Sequence, residues 1–137
     1  MGKLLQRLKD ASRSGVYRAP GSDEIADAVD GSGVFLARIA FADKEKLLKN
    51  IARALDFPEW FGGNWDALED CLTDLSWRDA EGYVLLFEGA KPGDELGVLI
   101  DVLRTAAEHW AGRGKPFFAV FVDPQRSAAL PELFRQA

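Results

Sequence analysis

A chain of 137 residues with 47% apolar and 28% charged residues has the composition of a globular protein rather than a disordered one, and it is long enough for one domain but not two. No run approaches the roughly 18 apolar residues of a membrane span, and the start, MGKLLQRLKDASRSG, lacks the uninterrupted apolar stretch of a signal peptide, so a cytoplasmic location is expected. With 22 acidic against 17 basic residues, a formal net charge of −5 and no basic stripe, the chain is not expected to bind nucleic acid; a positively charged partner suits it better.

Residues 1–33 read as an N-terminal extension of short elements. Leu4, Leu5, Leu8 and Ala11 give an amphipathic turn or two, GVY a brief strand, Ser22 a helix cap, and DGSG a closing turn. Residues 34–137 read as the main domain. VFLARIAF, residues 34–41, is β-branched and aromatic enough for a strand. Asp43 then caps a helix whose Leu47, Leu48, Ile51 and Leu55 recur at helical spacing until Pro58 stops it. After a further, acidic helix come the strand GYVLLFEG, a long helix capped by Asp94 with Leu96, Leu99, Ile100, Leu103, Ala107 and Trp110 inward, and the nearly all-apolar strand FFAVFVD. The tail, PQRSAALPELFRQA, adds a short helix. Strands apolar on both faces and separated by helices predict an α/β fold, a three-stranded parallel sheet flanked by helices.

The acidic helix concentrates the charge. Residues 54–77 hold six carboxylates (Asp56, Glu59, Asp66, Glu69, Asp70, Asp74) and no Lys or Arg, whereas the rest of the chain, with 17 basic and 16 acidic residues, is nearly neutral. Asn64 is a good N-cap, and Gly62 and Gly63 give the tight approach to it. At about 100° per residue, Trp65, Leu68, Cys71, Leu72 and Leu75 share one side, while Asp66, Glu69, Asp70, Thr73 and Asp74 share the other. Asp66/Asp70 and Asp70/Asp74 repel at four-residue spacing by a few tenths of a kcal/mol each, roughly, with no Lys in register. Most charged helix faces are simply solvated. Here, however, Trp60, Trp65 and Trp77 cluster around the same segment, and an aromatic beside a carboxylate ridge has the make-up of an interface anchor.

FPEWFGGNWDALEDCLTDL resembles the signature of the barstar family, intracellular inhibitors of secreted microbial ribonucleases of the barnase type. It carries a Pro-Glu-aromatic-aromatic-Gly loop and then Asn-x-Asp-Ala-Leu-x-Asp-Cys-Leu-Thr. The order of elements from about residue 34 to residue 123 resembles the family's fold as well; residues 1–33 and the tail lie outside the likeness. The resemblance implies that the acidic helix and the preceding loop plug a cationic active site that otherwise grips RNA phosphates, in an immunity or antitoxin role. Asp70 would be the main phosphate mimic, Asp66 a second contact, Trp60 the loop aromatic packed on the enzyme and Thr73 their flank. Gly62 and Asn64 shape the same surface. The chain departs from the family's type sequence at Glu69, where a Trp precedes the principal Asp, and at Asp74, where a Gly follows the Thr. The position matching a further acidic contact on the long helix is Thr105. The implied partner is a secreted ribonuclease or basic toxin bound one to one; the alternative is a non-inhibitory module of the same fold that docks on a basic partner or self-associates.

Enzymatic readings fare worse. Asp66 and Asp70, roughly 5–6 Å apart at Cβ, have the spacing of a glycosidase pair, but two carboxylates on one side of one helix do not flank a bond from opposite faces. There is no EF-hand loop, and Cys71 with a single histidine, His109, makes neither a disulfide nor a zinc site. Cys71 falls on the apolar side of its helix and His109 near the end of one, both ordinary structural positions. With no dinucleotide, P-loop or nucleophile-elbow motif either, no catalytic residue, metal or cofactor is expected.

Overall fold

The computed structural model describes residues 2–59, 61–90, 93–123 and 130–133. Ten elements follow in order: α1 (Lys3–Leu8), a 3-10 turn (Ala11–Arg13), β1 (Gly15–Ala19), α2 (Asp23–Val29), β2 (Val34–Ala40), α3 (Lys44–Ala54), α4 (Trp65–Leu72), β3 (Gly82–Glu88), α5 (Asp94–Gly112) and β4 (Phe117–Val122). The α/β class with a parallel, helix-flanked sheet is as the sequence predicts. The strand count is not: the sheet has four strands, ordered β1-β4-β3-β2, all parallel. The fourth is the brief GVY strand, lengthened to five residues and paired along β4 from Gly15 against Phe118 to Ala19 against Val122.

Alternation along β3 and β4 explains the three layers. Tyr83, Leu85 and Phe87 with Phe117, Ala119 and Phe121 face α3, α4 and α5, and the rings of Phe87 and Phe121 stack at 4.9 Å. Val84 and Leu86 with Phe118 and Val120 face the other way, where Leu5 and Leu8 of α1 and Ile25 and Val29 of α2 cover them. Strands buried on both faces need apolar residues at every position, which is why these two read as continuous runs. The N-terminal helices thus form a layer of the core.

An edge strand exposes unpaired backbone groups, and β1 has its edge partly closed. The Arg18 N–H donates to the Pro131 carbonyl at 2.9 Å and the Leu133 N–H to the Arg18 carbonyl at 2.9 Å, while the Arg18 guanidinium pairs with Glu132 at 2.7 Å. This stretch, 130–133, is the described part of the tail and forms an extended bridge to β1 rather than the expected short helix, because its backbone groups pair with Arg18; the rest of the tail lies outside the described residues.

Asp43 and Asn64 cap as expected, accepting from the N–H groups of Lys46 and Ala67 at 3.1 and 2.8 Å. Ser22 makes no side-chain cap because its backbone is already helical rather than extended. Asp94 is the first residue inside α5, with Gly93 at the cap position, so its carboxylate acts on the helix dipole instead. The helix after Asp43 ends at Ala54, before Pro58. No helix among the described residues is long and apolar enough to cross a membrane.

Candidate functional site

The sequence Asn64-Trp-Asp-Ala-Leu-Glu-Asp-Cys-Leu makes α4 two-faced, and packing keeps it so. Leu68, Cys71 and Leu72 are fully buried against α5 and the sheet, and the Trp110 indole N–H reaches across from α5 to the Leu72 carbonyl at 2.7 Å. That bond satisfies one of the carbonyls left open at the helix end. Trp65 is half-buried against the same core, with the Lys44 ammonium 6.0 Å from its ring centre.

The opposite face is carboxylate. Asp66 and Asp70 are exposed, Glu69 and Thr73 half-buried. The Thr73 hydroxyl donates to the Glu69 carbonyl at 2.9 Å and lies 3.3 Å from that of Asp70, so it closes the helix C-terminus. The helix stops at Leu72, shorter than its periodicity suggests, because Leu75 turns into left-handed backbone (φ 50°) to bury its side chain; Asp74 is therefore an exposed turn residue just past the C-cap. Among the described residues, Asp66, Glu69, Asp70 and Asp74 make no ion pair. Burial or pairing would each have consumed this charge; neither does.

Of the six carboxylates in the segment, Asp56 behaves differently. Asp56 pairs with Arg78, the first cation beyond the acidic run, so the segment is neutralised at one end. Sequence periodicity gave no sign of this pairing across 22 residues, although the abrupt return of positive charge at Arg78 was the available signal. Rings pack edge to face at the base of the loop before α4: Phe57 meets Phe61 at 5.0 Å and, from beyond α4, Trp77 at 5.9 Å. Gly63 has φ 70°, a backbone that glycine adopts without the strain a side chain would add, whereas Gly62 is exposed with room for a side chain. Trp60, the expected loop aromatic, lies outside the described residues. Thr105 is exposed on α5, its hydroxyl donating to the Asp101 carbonyl at 3.2 Å. No group of three or more His, Cys, Asp or Glu among the described residues could hold a metal ion.

Cys71, on the buried side of α4, has its pKa pushed up to about 11 by burial, with the carboxylates of Asp70 and Asp74 adding to the rise. The folded value exceeds the ordinary 9.0, so the protonated thiol's contribution to stability is complete below about pH 9 and is lost as pH climbs through about 11. A disulfide-exchange reagent at pH 8 is expected to titrate no thiol in the native protein and one per chain in denaturant. A native thiol that reacts at the rate of a free cysteine would place Cys71 on an accessible face.

The family model described as barstar (barnase inhibitor) matches residues 34–122. The chain belongs to the barstar family. The barstar match runs from β2 to the end of β4 and contains α4 with the aromatic loop before it, while α1, β1 and α2 precede it. By that description, barstar is an inhibitor of barnase. No individual curated protein matches the chain.

Proposed function

We propose that this barstar-family chain is a stoichiometric inhibitor of a barnase-type ribonuclease or a related basic toxin, protecting the cell that makes it. The observation that carries the reading is the ridge of Asp66, Glu69, Asp70 and Asp74, unpaired among the described residues and adjoining an aromatic loop inside the family-matched segment. A site evolved to hold RNA phosphates presents Arg and Lys, and carboxylates on a rigid helix offer them the same charge-assisted hydrogen bonds without a scissile bond. Asp70, central on the ridge, takes the main phosphate position; Asp66 and Thr73 flank it, and Trp60, Gly62 and Asn64 form the loop side. Glu69 and Asp74 enlarge the ridge beyond the family's type sequence and suit a strongly cationic partner.

Calorimetric titration into a barnase-type ribonuclease, with RNA cleavage assayed on the same mixtures, tests the proposal. Tight one-to-one binding with loss of cleavage is the expected result. Binding with cleavage intact would instead support a docking module of the same fold. Because free carboxylates steer a cationic partner, the association rate is expected to fall steeply as ionic strength rises, as it does in barnase–barstar, the type example of such steering. A flat salt dependence would remove the ridge from the encounter.

A further inference from the structure

Two non-glycine residues among those described have left-handed backbone: Asp56 (φ 52°) and Leu75 (φ 50°). One precedes the aromatic loop and the other follows α4, so they bracket the proposed binding surface. L residues disfavour this conformation, and it persists only where neighbours hold it. At Asp56 the chain closes α3 with paired backbone bonds, Phe57 N–H to the Ala52 carbonyl at 2.9 Å and Asp56 N–H to the Arg53 carbonyl at 3.4 Å, a closure that ordinarily uses glycine.

What holds it comes from beyond α4. The Trp77 indole N–H donates to the Leu55 carbonyl at 3.0 Å, and its ring meets that of Phe57 edge to face at 5.9 Å. The next residue, Arg78, pairs with the Asp56 carboxylate. Arg78 is itself anchored: its guanidinium lies 4.9 Å from the Phe35 ring centre on β2, and its carbonyl accepts from the Tyr83 hydroxyl of β3 at 2.8 Å. The Arg78 and Asp56 side chains are 37% and 61% exposed, so their ion pair contributes little by itself. The indole bond and the ring contacts carry most of the hold.

We infer that Trp77 and Arg78 are positioning residues for the partner-binding surface, fastening the base of the aromatic loop at residues 55–57 to the chain that leaves the acidic helix. Loop and ridge then meet a partner as one preformed surface, and the ordering cost of binding is already met in the free protein. The inference rests on the inhibitor reading for its consequence in binding, but the fastening itself is measurable without a partner.

Trp77→Phe exchanges the indole for a smaller aromatic ring, deletes the N–H donor and leaves the net charge unchanged. In the free variant, hydrogen exchange at the Phe57 and Phe61 amides is expected to quicken about tenfold, while exchange in β3 and β4 stays as in the wild type, since one lost hydrogen bond corresponds to about that factor locally. Against a barnase-type ribonuclease, Kd is expected to rise about tenfold with the salt dependence of association unchanged, because no ridge charge has moved. Unaltered exchange at Phe57 and Phe61 would overturn the fastening, and quickened exchange with unaltered Kd would overturn its role in binding. Failure of the wild-type protein to bind would count against the inhibitor reading alone, leaving the exchange data to decide the fastening. If Trp77→Phe loses protection in β3 and β4 as well, Asp56→Asn, which tolerates left-handed backbone, is the second variant and is expected to quicken the same two amides by a smaller factor.

Discussion

Replacing Asp70 by alanine is expected to weaken binding to a barnase-type ribonuclease by more than about thirtyfold while leaving the melting temperature unchanged or slightly raised. The two halves of this result have one cause. Asp70 is exposed and makes no ion pair among the described residues, so the fold loses nothing with it and is relieved of repulsion from Asp66 four residues away. In a complex the same carboxylate is desolvated against cationic groups, and deleting it leaves those groups buried without a partner, the usual origin of a hot spot above about 2 kcal/mol. Barnase–barstar is itself the type case of an aspartate hot spot, so the threshold used is the general one for hot spots. Titration calorimetry and thermal melts on the variant check both halves. A loss below about fivefold, less than about 1 kcal/mol, would put the hot spot elsewhere on the ridge.

Removing residues 1–33 is expected to abolish cooperative folding, even though the family match begins only at residue 34. Leu5, Leu8, Ile25 and Val29 are all buried on the face of the sheet formed by Val84, Leu86, Phe118 and Val120. Burying four such side chains contributes on the order of 10 kcal/mol, which rivals the whole stability of a typical domain at about 5–15 kcal/mol. The truncated chain would also present β4 as a bare apolar edge, an invitation to aggregate. Circular dichroism melts and gel filtration of the 34–137 chain measure the outcome. A monomer with a sharp transition near that of the full chain would instead establish residues 34–137 as a self-sufficient inhibitor domain and the extension as an accessory.

Local signals in the sequence were reliable where the structure is locally determined. The Asn64 cap, the buried series Leu68, Cys71, Leu72 and the exposed series Asp66, Asp70 follow from helical geometry alone, and β3 and β4 are apolar at every position because both their faces are covered. What escaped was set at long range. GVY was legible as a brief strand, but its extension through Arg18 and its place in the sheet were not; they arise because β4, about a hundred residues later, offers it an edge and Glu132 offers its arginine a partner. The end of α4 escaped as well, since Thr73, Asp74 and Leu75 all continue the helical pattern and only the left-handed backbone at Leu75 breaks it. In the site, the ridge was legible as a helix face, whereas the Asp56–Arg78 pair and the Trp77–Leu55 bond join positions that no periodicity links.

The pairing of Gly15 with Phe118 also sets an order of events during synthesis. Of the four strands of this sheet, the first made is the last to find its neighbour, because β4 is made only after the other three. Until residue 117 emerges, the apolar faces of α1 and α2 have no complete surface to cover, and a nascent chain stalled before that point exposes them to solvent and to other chains. A protein whose proposed task is to meet a toxin is therefore competent only once β4 has been made.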